Sequence, residues 1–211
     1  MRRRLLGTAD ASVARTVHHL ADVLERLNDV AGLESLFREE LTNAMSRSPN
    51  KPLLASDPVY AIVDVLLAKN QYGQVDQLVR DLLAPAIQKA PENVGLLRTR
   101  GESFARRGRW SEAAADLARV IKLDPETHDP WYHLAPLLLR TGATNDYHRL
   151  CHEMLLRFGG ENPPQVAERT VKACLLLPPD RSDLALATEL AQTAVVAGLD
   201  HPFIHYYQFA K

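Results

Sequence analysis

Cysteine is scarce in this sequence: Cys151 and Cys174 are the only two among 211 residues. Two thiols without a secretory leader argue against a disulfide framework and for a reducing compartment, so the expected location is cytoplasmic. Arg2, Arg3 and Arg4 precede Leu5 and Leu6 as a leader would begin. Thr8, Asp10, Ser12 and Arg15 then break the apolar stretch a leader needs. No run approaches the roughly 18 apolar residues of a membrane span, so no membrane association is expected. An excess of one charge is also missing. The chain holds 25 basic and 26 acidic residues, a net charge of −1. Nothing in that balance draws it to nucleic acid or anionic lipid. No Gly-x-Ser-x-Gly, phosphate loop or dinucleotide fingerprint occurs, and no convincing strand alternation. A non-enzymatic protein without cofactor is the expectation.

What remains is 46% apolar and 24% charged, the balance of a folded chain. Glycine and proline punctuate its second half at regular intervals. Leu97, Gly101, Phe104 and Gly108 recur 34 residues on as Trp131, Ala135, Leu138 and Gly142. Each type has a physical reason. Gly101 and Ala135 are small enough to let a partner helix approach. Gly108 and Gly142 end a helix at positive φ with little cost. Trp110 caps the space between the paired helices, and Ala113 sits where they cross. Asp124-Pro125 stops the second helix. The first half repeats less tightly. Leu20, Ala21, Leu24, Asn28, Val30 and Phe37 return 42 residues later as Ile62, Val63, Leu66, Asn70, Tyr72 and Val79. Asparagine at 28 and 70 is the usual substitute for glycine at a left-handed helix end.

These spacings predict an all-α, right-handed α-solenoid of stacked helix-turn-helix pairs, about eleven helices in one array over 1–211. The units read 8–46, 57–90, 94–127, 128–160 and 163–198, with a truncated sixth beginning at 202–211. In the fifth, the first helix is expected to run through Leu177, and Ser182 or Asp183 to cap the second. Pro136 is expected to open a bend or widened turn, because it leaves the carbonyl of Tyr132 unbonded. Phe203, Tyr206, Tyr207 and Phe209 place four aromatics on the last helix, more than one face can bury. They are expected to be exposed or to meet a second copy, an option for self-association.

The 34-residue unit, with Leu97, Gly101, Phe104, Ala113, Leu117 and Pro125, is similar to the tetratricopeptide repeat, although Arg100 stands where that pattern has leucine. The stretch 13–21 resembles the first helix of kinesin-light-chain-type repeats. The stretch 131–139, with Arg157-Phe158-Gly159 and 165–178, resembles repeat tails of planctomycete and verrucomicrobial proteins, many of which carry a serine/threonine kinase domain. The resemblance implies an interaction module of a larger bacterial signalling protein, with a protein or peptide partner held on a concave face. It carries no catalytic residue, since no kinase motif lies in this chain.

In such arrays the first helix of each pair lines the groove. The resemblance therefore points to Arg15, His18 and Asp22, to Tyr60 and Asp64, to Arg98, Glu102 and Arg106, and to Tyr132 and Arg140. Arg98, Glu102 and Arg106 are successive i, i+4 neighbours and could equally be a self-paired surface ladder. Asp22, Asp64, Glu102 and Pro136 at the central groove position cannot donate to a terminal carboxylate, which disfavours a chaperone-tail binder. His148, Cys151, His152 and Glu153 form an incomplete metal set, so Cys151 is expected to face a neighbouring helix instead. His18, His19 and Asp22 lack a nucleophile or oxyanion pocket. Cys174, in an apolar run, is expected to be an inert buried thiol. A structural spacer is the alternative function, and an enzyme a remote one.

Overall fold

The computed structural model describes residues 11–46, 58–160 and 162–197. Among them the chain is all-α, in ten helices. They are α1 (Ala11–Arg26), α2 (Val30–Met45), α3 (Pro58–Ala68) and α4, which joins Tyr72–Leu78, Val79–Leu83 and Ala84–Lys89. Then follow α5 (Val94–Arg106), α6 (Trp110–Leu123), α7 (His128–Arg140), α8 (Thr144–Phe158), α9 (Pro164–Cys174) and α10 (Arg181–Ala197). Residues 1–127 and 128–211 form two compact units. The expected eleventh helix and its four aromatics lie outside the described residues.

The turns carry the repeat. Asn28 and Asn70 have φ of 53° and 58°, and Gly108 and Gly142 have 74° and 76°. All four close in the same way. The amide of the left-handed residue donates three residues back: Asn28 to Glu25, Asn70 to Leu67, Gly108 to Ala105, Gly142 to Leu139. The next amide donates five back, as from Asp29 to Leu24 and from Arg109 to Phe104. This paired closure satisfies the last carbonyls of each first helix and turns the chain directly into the second. Asp29 then caps α2 by accepting from Gly32 N at 2.9 Å.

In the first unit, α1 packs on α3 and α3 on α5, so the first helices of three pairs form one layer. Ala21, Ile62, Leu66, Leu96 and Leu97 are fully buried. Each of the four larger aliphatics among them contributes on the order of 1.5–3 kcal/mol by leaving water. A Cβ on Gly101 would stand 3.1 Å from Asp116 Cβ and 3.4 Å from Leu117 Cγ, so glycine sets how closely α5 and α6 approach. Arg100, the departure from the repeat pattern, forks onto Asp116 at 2.7 and 2.6 Å, tying the same crossing. In the second unit Trp131 and Phe158 meet edge to face at 6.0 Å between α7 and α8.

Three local expectations are corrected. First, the widened turn expected at Pro136 is absent: α7 stays α-helical from His128 to Arg140 with Pro136 inside it. Pro136 is exposed, so its ring lies on the outer side of the helix, away from the core. The widened turn occurs instead in α4, as a π turn at Val79–Leu83 just before Pro85. Ala84 donates there to the Val79 carbonyl, five residues back, which gives room around the proline that lacks a donor. Second, α9 ends at Cys174, so Leu175 to Leu177 belong to the turn, with Leu175 and Leu176 nearly half exposed. Third, Asp180 caps α10: its Oδ1 accepts from Asp183 N at 2.8 Å and from Ser182 Oγ at 2.7 Å. Asp183 turns inward and is buried.

Candidate functional site

The first-helix layer of the 1–127 unit presents most of the residues singled out from the sequence. On α1, Arg15 is exposed, and His18 is half-buried with its ring edge-on to His19 at 6.0 Å. Asp22 pairs with Arg26 at 2.9 Å along the helix and with Lys69, at the end of α3, at 3.6 Å. Lys69 also reaches Glu25 at 3.6 Å. On α3, Tyr60 is half-buried near the Glu102 carboxylate of α5. Burial first, and then the charge of Glu102, push its hydroxyl above the ordinary phenol value, so it stays a neutral donor. Asp64 takes Arg106 of α5 at 2.7 Å.

Glu102 is buried and receives Arg98 at 2.6 Å. The expected ladder therefore forms over its first step. Arg106 turns instead to the neighbouring helix. Within the 1–127 unit both pairs of adjacent first helices are bridged, α1 to α3 by Lys69 and α3 to α5 by Arg106. The Asp64–Arg106 pair is about a third to a half exposed and adds roughly 0–1 kcal/mol to stability. Its greater effect is to hold both side chains in one geometry.

Tyr132 and Arg140 lie on α7, in the other unit. Tyr132 is half-buried, stacks on His128 at 6.3 Å and lies under the Arg169 guanidinium at 5.8 Å. Arg169 also bonds Asp129 at 2.8 Å. Arg140 is exposed. His128 was not singled out from the sequence. It is buried, its Nε2 lies 3.0 Å from Thr170 Oγ1, and burial depresses its pKa to about 4. A lone histidine ahead of Asp129-Pro130 gives no sequence signal for that role.

The incomplete metal set does not converge. Cys151 points into the interface with α9, where its Sγ lies 4.0 Å from the Ala173 carbonyl. His152 points away and takes Asp183 through Nδ1 at 2.8 Å, which raises its pKa. Among the described residues no group of three or more potential metal ligands occurs. None of the helices they form is long and apolar enough to cross a membrane.

A second concavity runs between α2 and α4. Val30, Leu33, Leu66, Leu78 and Leu82 floor one shallow stretch, with Glu34, Gln74, Gln77 and Asp81 around it. It continues past Leu41, Met45 and Pro85 to Lys89. The sequence reading missed it, because it depends on the spacing of two second helices and on the π turn that places Pro85.

No family model matches this sequence, and no curated protein matches it. Among solved structures, the chain is similar to YrrB, described as a tetratricopeptide-repeat protein with an unusual peptide-binding site. The identity is 15% and the TM-score 0.49, over 96% of this chain and 92% of YrrB.

Proposed function

We propose that the chain is an interaction scaffold that holds an extended segment or a helix of a protein partner on the shared face of α1, α3 and α5. Arg15, His18, Asp22, Tyr60, Asp64, Arg98, Glu102 and Arg106 line that face; Tyr132 and Arg140 are candidate partner contacts of the second unit taken by itself. One observation carries the reading: the polar groups of this face are bridged from helix to helix, by Lys69 to Asp22 and Arg106 to Asp64. Side chains already fixed lose little conformational entropy when a partner arrives, so binding there is favoured over a surface of free chains. Both signs of charge alternate with one aromatic, which suits a segment that carries both signs itself. The larger setting is a bacterial, cytoplasmic signalling protein, and the role is binding rather than catalysis.

A spacer between flanking domains is the alternative. It has no use for an aromatic hydroxyl and three arginines gathered on one face. The test is selection of binders from a displayed library of linear peptides, followed by titration against Tyr60→Ala and Arg106→Glu. We expect selected peptides to lose roughly tenfold or more with each variant, about 1.4 kcal/mol or more per change. Peptides that bind both variants as tightly as the parent would place the site elsewhere, with the α2–α4 groove the next surface to examine. Failure to select any binder supports the spacer.

A further inference from the structure

The only two cysteines of the chain, 23 residues apart in sequence, meet in one buried contact between α8 and α9. Cys151 is 2% exposed and Cys174 1%. Cys174 Sγ lies 3.6 Å from the carbonyl of Cys151, and Cys151 Sγ 4.0 Å from the carbonyl beside Cys174, that of Ala173. Each thiol thus reaches the backbone that bears the other, and both are free thiols. One turn before Cys151, the Tyr147 hydroxyl donates to Ala173 O at 2.9 Å and accepts from Leu177 N at 3.2 Å. It clamps the end of α9 and the following turn in register with Cys151.

We propose that Cys151 and Cys174 form a peroxide-responsive dithiol that closes to an intrachain disulfide between α8 and α9. The two thiols are unequal. The Cys174 thiol is engaged on the Cys151 carbonyl at 3.6 Å, whereas Cys151 Sγ keeps only a contact of 4.0 Å. Cys151 is therefore the attacking sulfur and Cys174 the resolving one. The neighbouring Cys174 acts in the same direction, holding the Cys151 thiol below its ordinary value. Cys151, having lost its proton to solvent, attacks one peroxide oxygen, breaks the O–O bond and becomes a sulfenic acid while hydroxide leaves. Cys174 then attacks that sulfur. An S–S bond forms, the S–OH bond breaks, and the departing hydroxide takes the Cys174 proton as water. In sum two thiols and hydrogen peroxide give one disulfide and two waters, the thiols supplying both electrons.

Access comes through the end of α9. That helix has only 11 residues and ends at Cys174 itself, and the turn beyond it carries Leu175 and Leu176 at 45% and 49% exposure. Opening its last turn releases the Tyr147 clamp and uncovers Cys151 Sγ together with Cys174, because Cys151 packs on the Ala173 carbonyl of that turn, and helix ends open at the least cost. In the closed form the disulfide fixes α8 to α9 whatever the state of the Tyr147 clamp.

The experiment treats the folded full chain with hydrogen peroxide at neutral pH, then unfolds it under non-reducing conditions with an alkylating reagent. The expected product has lost two hydrogens, takes no alkyl group, and yields one peptide joining Cys151 to Cys174. Cys174→Ser should stop at a sulfenic acid that dimedone traps, and Cys151→Ser should react roughly tenfold or more slowly. Cys151→Ala serves in its place if the serine does not fold. Two thiols still open to alkylation after peroxide, a link between two chains instead of within one, or equal rates for the two variants would each overturn the proposal.

Discussion

Replacing Gly101 by leucine tests the packing logic of the repeat where it is tightest. In α5 the glycine brings no conformational benefit. Its backbone is ordinary helix, and glycine there costs roughly 0.5–1 kcal/mol relative to alanine. It is retained for space. The first added carbon would lie 3.1 Å from Asp116 Cβ, closer than ordinary van der Waals contact. Asp116 cannot give way easily, because the Arg100 fork holds both its oxygens. Alanine should therefore recover its helical advantage and lose it to the contact, ending between neutral and about 2 kcal/mol destabilised. Leucine adds three further carbons to a fully buried crossing and should cost about 1–3 kcal/mol or more. With a urea m-value of about 2 kcal/mol/M, that lowers the midpoint by roughly 0.5–1.5 M. The measurement is urea unfolding followed by circular dichroism. Adding Arg100→Ala to Gly101→Ala should recover part of the loss by freeing Asp116 to move. A Gly101→Leu midpoint equal to the parent's would refute the crossing and, with it, the register of the 34-residue repeat.

Other outcomes follow from single sites. His128 is neutral and buried, with its pKa depressed from 6.5 to about 4. The unfolded chain binds the extra proton first, so stability is fully present above about pH 6.5, falls as pH drops from there to about 4, and levels off below; His128→Gln should flatten that profile in denaturant titrations. Asn70→Gly should stabilise the α3–α4 turn or leave it unchanged in thermal melts, while Asn70→Val should destabilise it by about 1–2 kcal/mol, since φ of 58° crowds a branched side chain. A strong chelator should leave the melting temperature unchanged, because His152 is held by Asp183 and Cys151 faces α9; a drop of several degrees would show a structural metal.

The turns were legible in the sequence because their chemistry is local. Positive φ at Gly108 and Gly142 needs a residue without a Cβ penalty, and Asn28 and Asn70 are the next best choice, so the 34- and 42-residue intervals stand out. Proline was less legible because its effect depends on which side of the helix it meets. Pro136 faces water and leaves α7 helical, while Pro85 lies where α4 widens. Nothing local in either tripeptide distinguishes them. The start of α10 misled for a similar reason. Asp180, Ser182 and Asp183 are all competent caps, and the choice was made at a distance, by His152 drawing Asp183 inward. The bonds among the candidate residues were not legible in the sequence. Helical spacing suggested that Arg106 continues the ladder from Glu102, whereas the packing of α5 on α3 offers it Asp64. The Asp64–Arg106 pair joins residues 42 apart and has no signature in either stretch.

The scaffold reading is tested most directly by hydrogen exchange on the full chain with and without a saturating selected peptide. Binding on the first-helix face predicts slowed exchange concentrated in α1, α3 and α5, around Asp22, Tyr60 and Glu102, with α2 and α4 little changed. Protection confined to α2 and α4, or no protection at any helix of the 1–127 unit, would contradict it.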